Sequence, residues 1–400
     1  MDQPKARNFS NVDHDEAMRR AADMVPFLRE QAPAIEEARH LTPAVIAELH
    51  RTGLLRYLQP KTWGGMELDF VACVDILEML ARGDASVAWS VANLASHHRA
   101  LAIFPEKAQR EVWEDDPDAL IAAGIVYQQG RARRVDDGVV LSGKWNFCSA
   151  VTDSTWNQLA CVVVDGDKPV DWVQCLLEAD QYEIIDDWHV LGMRGTGSCT
   201  VVVDEVFVPS HRVQSMATAL PGHSFAGVEA NPNPMYRIPT SALGPHALGA
   251  VIVGAAQGAL DVMIDWVKQR STNTSGAKMR DFPTLQHRFG IAGAKIDAAR
   301  LILRNDCLDA GGILKAGQTV PLETKLRYKR NAAGAVRLAV EAVDGLHEAA
   351  GANGIYDHAP LQRIFRDVHA ASAHIHFSTD MQMTAWGNVA LGGTFSSPTM

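Results

Sequence analysis

The residues best able to do chemistry in this 400-residue chain fall at four places. Near the C-terminus, His374-Ile375-His376 sets two imidazoles two positions apart. An imidazole with an unperturbed pKa of about 6.5 is largely neutral at neutral pH and can take a proton from an acidic hydroxyl. Two positions apart on a helix, side chains diverge by roughly 200°, so His374 and His376 are not expected to face one ligand. The competing reading of His374 is a histidine packed inside a helix bundle or at a subunit contact. Ser149 sits just past a strand-like segment, and its hydroxyl can donate or accept. As a turn residue it would instead bond its own backbone. Close by, Trp145 and Phe147 offer ring faces to a planar ligand or to the core. In Arg194-Gly195-Thr196-Gly197-Ser198, the two glycines allow backbone to approach a ligand closely. Thr196 and Ser198 there supply donors for ring oxygens or a phosphate. Trp188, just upstream, reads as a pocket wall or as ordinary core. Finally, His97-His98-Arg99 ends a helical segment, where His97 is either a substrate contact or part of a solvated helix end.

Several functions are disfavoured by the same sequence. No G-x-G-x-x-G stands between a strand and a helix, so no nicotinamide site is expected. His, Asp and Glu show no metal-ligand spacing, and His374-x-His376 alone is too little for a metal. The six cysteines form neither C-x-x-C pairs nor a secreted framework, and they read as reduced thiols of a cytoplasmic protein. A formal charge of −10 argues against nucleic acid or an anionic membrane as partner. Met1 to Glu16 is polar without a signal core, and no uninterrupted apolar run reaches about 18 residues, so no membrane span is expected.

These residues must be positioned by an α+β, mostly α, chain in three parts. Residues 1–118 read as helices, among them Asp15 to Ile35, Thr42 to Thr52 with a cap and first-turn Pro43, Phe70 to Arg82 and Asp84 to Ala102. Residues 119–215 read as an antiparallel β-domain. Its short β-branched runs are Leu120 to Val126, Gly138 to Trp145, Leu159 to Val164, Trp172 to Ala179 and Cys199 to Val208. With no long helical pattern between them, parallel βαβ units are not expected. Residues 216–400 return to helix and predict a four-helix bundle from Ala242 to Arg270, Leu285 to Ala316, Leu322 to Ala350 and Leu361 to Leu391. The polar linker Ser271 to Asp281 reads as mobile.

That order, with three local motifs, resembles the acyl-CoA dehydrogenase family over nearly the whole chain. Leu191-Gly-Met-Arg-Gly-Thr-Gly-Ser198 running into Val201-Val-Val-Asp-Glu-Val-Phe-Val-Pro209 is similar to the family's "LGMRGS…F-x-x-V-x-V-P" segment. Leu141-Ser-Gly-Lys-Trp-Asn-Phe-Cys-Ser149, closing at Trp156, resembles "L-x-G-x-K-x-W-I-T…W". Pro360-Leu-Gln-Arg-Ile-Phe-Arg-Asp367 resembles "P-x-x-R-x-x-RD". The dehydrogenase base does not carry over. The position nine residues past the arginine of the RD pair is Ile375, and no carboxylate lies between Asp367 and Asp380. The alternative site on the first bundle helix is also without one, since no Asp or Glu lies between Glu229 and Asp261. Without a base, α-proton abstraction from a thioester stalls.

The sequence instead resembles the fold's other branch, the flavin-dependent monooxygenases of two-component systems such as 4-hydroxyphenylacetate hydroxylases. The resemblance implies reduced FMN or FAD and dioxygen as co-substrates, acting through a C4a-hydroperoxyflavin. It also implies a separate NAD(P)H:flavin reductase, a small phenolic or aromatic substrate and a homotetramer. It places His374 beside the substrate as the base that makes a phenolate, and Ser149 near the flavin ring. It assigns Trp145, Phe147, Arg194, Gly195, Thr196, Gly197, Ser198 and Arg270 to the flavin, and His97 and Trp188 to the substrate. The alternative is an acyl-CoA dehydrogenase with a non-standard base.

Overall fold

The computed structural model describes residues 7–216, 225–272 and 275–397. Helices α1 (His14–Ala38), α2 (Pro43–Thr52), α3 (Val71–Ala81), α4 (Ala85–Leu101) and α5 (Glu106–Trp113) come first. Their ends are set by local chemistry. Asp13 caps α1 through the Glu16 N–H, Thr42 caps α2 ahead of Pro43, and left-handed Gly53 closes α2. Asp84 caps α4 by accepting from the Val87 N–H at 2.9 Å.

The sheet follows: β1 (Ile121–Gly124), β2 (Gly130–Val135), β3 (Gly138–Cys148), β4 (Trp156–Asp165), β5 (Lys168–Glu178), β6 (Glu183–Ile185), β7 (Cys199–Pro209) and β8 (Val213–Ser215). The strand order is β6-β7-β3-β2-β4-β5-β8, with β1 also on β4. The expected all-antiparallel domain is therefore mixed. Both β1 and β2 run parallel to β4, pairing Ile121 with Trp156 and Arg131 with Val162. The parallel crossover uses the β2–β3 hairpin rather than a helix, so no helical signal announced it.

Helices α6 (Thr240–Lys268), α7 (Pro283–Lys315), α8 (Leu322–Ala350), α9 (Pro360–Ser372) and α10 (Thr379–Ala390) complete the chain. The expected single helix from Leu361 to Leu391 is thus two, broken by a 3-10 turn at Ile375–Phe377. Among the described residues α6 alone is long and apolar enough to cross a membrane, but 72% of its most apolar stretch is buried, which marks a core helix. In the linker, Ser271 and Lys278 form a bridge and Gly276 is left-handed; Asn273 and Thr274 lie outside the described residues, as do Met1 to Ala6. The N-terminal helices and the bundle share one apolar core, while the sheet encloses a second.

Candidate active site

The seam between α4, the sheet and the turn after α9 gathers most of the expected residues. Helix α4 is buried along its whole length except at Asn93 and Ser96. That opening lies on the face that also carries Trp89 and His97, since i, i+4 and i+8 share one side of a helix. Trp89 joins three elements. Its indole N–H donates to Ser149 Oγ at 3.3 Å, and its ring meets His374 edge-on at 5.9 Å. Neither Trp89 nor Asn93 was singled out from the sequence. The available signal was an aromatic and a polar residue at four-residue spacing upstream of His97.

His374 is not on a helix. It caps the 3-10 turn, with its Nδ1 accepting the His376 N–H at 3.3 Å. The expected divergence of His374 and His376 fails for that reason, and their ring centres lie 4.8 Å apart. Burial pushes both imidazoles down, His376 to about 3, so both are neutral near pH 7. Because Nδ1 of His374 accepts, its neutral ring carries the proton on Nε2. His97 is the opposite tautomer. Its Nδ1 lies 2.7 Å from the Ile121 carbonyl oxygen, which can only accept, so Nδ1 is protonated and Nε2 keeps a lone pair. Burial first, and then the Arg99 charge, hold the His97 pKa at about 4. The solvated-helix-end reading of His97 is ruled out by its burial.

Ser149 Oγ lies 2.9 Å from Ser198 Oγ, Ser198 Oγ 2.7 Å from Thr196 Oγ1, and Thr196 donates to the Met193 carbonyl at 2.9 Å. Thr196 and Ser198 therefore spend their hydroxyls on protein, not on ring oxygens or a phosphate as expected. Gly195 is needed for packing, not ligand approach: a Cβ there would stand 2.2 Å from Ile35. Gly197 is left-handed at φ +51°. The Arg194 side chain bonds the Val190 carbonyl and lies 3.9 Å from Glu36. Trp188 donates to the Met193 carbonyl and receives the edge of Phe147, which is 70% exposed. Trp145 is fully buried in the sheet core, where a Cβ on Gly124, Gly130 or Gly143 would strike it within 2.8 Å. One expected flavin residue stands elsewhere. Arg270 stacks on Trp266 at the end of α6, and none of its contacts among the described residues reaches this cluster.

The RD pair clamps the loop. Asp367 Oδ1 accepts from the Met193 N–H at 2.6 Å, and Arg366 bonds the Leu191 carbonyl and Glu36. A Cβ on Gly192 would lie 2.3 Å from the Arg366 carbonyl oxygen, which as backbone cannot swing away. Gly192→Ala is expected to cost about 1–3 kcal/mol of stability, read by denaturant unfolding. Burial, and then the nearby Asp84 carboxylate, raise the Asp367 pKa to about 7. The folded chain therefore holds a proton that the unfolded chain releases near pH 4. Its stability falls as pH climbs from about 4 to about 7 and levels off above. Asp367→Asn keeps an acceptor for Met193 and removes that slope. Across this window the variant should gain on the wild type by something on the order of 3 kcal/mol in unfolding free energy.

The carboxylates here are committed: Asp84 to the Val87 N–H and Asp367 to Met193. The dehydrogenase base position, Ile375, is 61% exposed and flanked by the two histidines. A flavin fits this lining. A planar ring with N–H and C=O groups along one edge matches the exposed Phe147 ring and the spare lone pair of Ser149.

The comparisons agree with this reading of the fold. Residues 13–115 match the acyl-CoA dehydrogenase N-terminal domain, and residues 246–379 match the acyl-CoA dehydrogenase C-terminal domain. The chain is 34% identical to the flavin-dependent monooxygenase oxygenase subunit HsaA of Rhodococcus jostii, over 94% of this chain and 98% of that one. It is also 34% identical to the oxygenase component of the FADH(2)-dependent resorcinol hydroxylase of a Rhizobium species, over 95% of each chain. The structure of XiaF from a Streptomyces species, in complex with FADH2 and glycerol, superposes with a TM-score of 0.87 at 26% identity, over 97% of this chain and 100% of that one. The chain belongs to the flavin-dependent monooxygenase branch of the acyl-CoA dehydrogenase family.

Proposed function

We propose that this chain is the oxygenase component of a two-component monooxygenase that uses reduced FMN or FAD and dioxygen to hydroxylate a phenolic or other aromatic substrate, the flavin being reduced by a separate NAD(P)H-dependent partner. The observation that carries this reading is the set of a hydroxyl, an indole and an imidazole at Ser149, Trp89 and His374, where a dehydrogenase needs a free carboxylate. When bound, a reduced flavin supplies the electrons that activate dioxygen and transfers one oxygen atom to the ring.

The protein's own groups do the rest. The substrate lies along the Trp89–Asn93–His97 stripe, which rises roughly 12 Å over eight residues of helix. His97, with its free Nε2, takes the proton of the substrate hydroxyl, which raises electron density on the ring carbons. Its depressed pKa keeps it unprotonated and ready, and the phenolate it creates stabilises the imidazolium it becomes. His374 presents Nε2–H and steadies negative charge at the reacting end. Ser149 would accept a hydrogen bond from a bound reduced flavin, and the Phe147 and Trp188 rings would shield it from water.

We further propose a homotetramer in the cytoplasm. Helices α7 and α10 leave Leu301, Leu308 and Met381 more than half exposed, apolar surface that a second copy would cover. All six cysteines are free and buried, which fits a reducing compartment. Sedimentation should give four copies, and Leu301→Glu with Leu308→Glu should dissociate them; a monomeric wild type would reject this.

The function is tested by supplying a generic flavin reductase, NADH and a panel including resorcinol and p-hydroxyphenylacetate. Substrate-dependent oxygen uptake with a product one oxygen heavier is expected. Anaerobic bleaching of bound oxidised flavin by an acyl-CoA would contradict it.

A further inference from the structure

Among the described residues, seven other than glycine adopt left-handed backbone, and three of them, Phe147 (φ 63°), Ala150 (φ 59°) and Met193 (φ 58°), crowd around one string of hydroxyls. Such conformations persist where surrounding structure holds them in place. Here the two loops are tied by the Ala150 N–H donating to the Thr196 carbonyl at 2.8 Å, and the second is pinned to α9 through Asp367.

The direction of the string follows by elimination. A carbonyl oxygen only accepts, so the single Thr196 proton goes to Met193. Ser198 must then donate to Thr196, and Ser149 must donate to Ser198. An indole N–H only donates, so Ser149 accepts from Trp89. Ser149 is left with no proton to offer and one lone pair. Any group seated against it must be a donor.

We propose that Thr196 and Ser198 are positioning residues that hold Ser149 as an acceptor only, and that this one-way string makes the site select reduced over oxidised flavin. The proposal rests on the flavin reading above. The N5 edge of an isoalloxazine carries a hydrogen when the ring is reduced and a bare lone pair when it is oxidised. The reduced ring satisfies Ser149, whereas the oxidised ring sets lone pair against lone pair. A component that takes its flavin from a separate reductase gains from such discrimination, because spent oxidised flavin leaves and fresh reduced flavin enters.

The test is a set of dissociation constants for FMN and FAD, each oxidised and each reduced with dithionite under anaerobic conditions. They are measured on the full-length wild type and on Thr196→Val, Thr196→Ser, Ser198→Ala and Ser149→Ala, with thermal unfolding of each. Thr196→Val and Ser198→Ala free the Ser149 proton to point outward. The preference for reduced over oxidised flavin should fall roughly tenfold in both, largely through tighter binding of the oxidised form. Thr196→Ser restores the string and should keep the wild-type ratio. An unchanged ratio in Thr196→Val and Ser198→Ala, while Ser149→Ala alters flavin binding, would overturn the string and leave the flavin site standing. Ser149→Ala binding both redox states as the wild type does would instead overturn the flavin reading, and the proposal with it.

Discussion

His97→Asn will lower hydroxylation at pH 7 by roughly 10²–10⁴-fold, the usual contribution of a positioned base. Asparagine puts an N–H near the place of Nδ1, so the bond to the Ile121 carbonyl survives and only the outward lone pair is lost. The loss should be pH-dependent in a particular way. A phenol ionises by itself near pH 10, so the variant should recover as pH rises toward that value. The wild type should stay flat down to about pH 4, where His97 itself becomes protonated. Single-turnover product yield against pH checks this. A variant whose deficit is constant from pH 6 to pH 10 would show that His97 does not take the proton.

The second large effect is expected at His374. His374→Ala should fold and bind flavin, yet divert most of the oxygen consumed into hydrogen peroxide, with hydroxylated product down by roughly 10²-fold or more. The tautomer makes a finer prediction. With Nδ1 accepting the His376 N–H, His374 acts through a proton on Nε2. Glutamine can place an N–H near that position, so His374→Gln should recover a substantial share of the coupling that alanine loses. If His374 were the proton acceptor, as its sequence position first implied, glutamine would be as poor as alanine. The ratio of product to peroxide in the two variants separates these roles.

Much of this was legible in the sequence, for identifiable reasons. A cap and apolar spacing announce α2, α4 and the bundle, because Thr42-Pro43 and the Ala-rich helical runs act locally. What escaped depends on tertiary context. Strand β2 reads Gly-Arg-Ala-Arg-Arg-Val, and its apolar content is hidden because Arg131, Arg133 and Arg134 face water while Ala132 faces the core. The break before His374 has no glycine or proline to mark it; an imidazole capping the next turn replaces them. The acceptor-only state of Ser149 arises from Ser198 and Thr196, some fifty positions away, and from the carbonyl of Met193, whose N–H is held by Asp367. No local pattern encodes that. Trp145 and Gly195 show the converse, since motif positions that suggested a ligand turned out to pack protein against protein.

Oxygen transfer by this protein is tested most directly by one turnover in heavy-isotope dioxygen. The protein is loaded with chemically reduced FMN or FAD and a phenol that stimulates oxygen uptake, and the product is weighed by mass spectrometry. One heavy oxygen atom on the aromatic ring is the predicted result. A ring oxygen that comes from water, or turnover that proceeds unchanged without dioxygen, would contradict it.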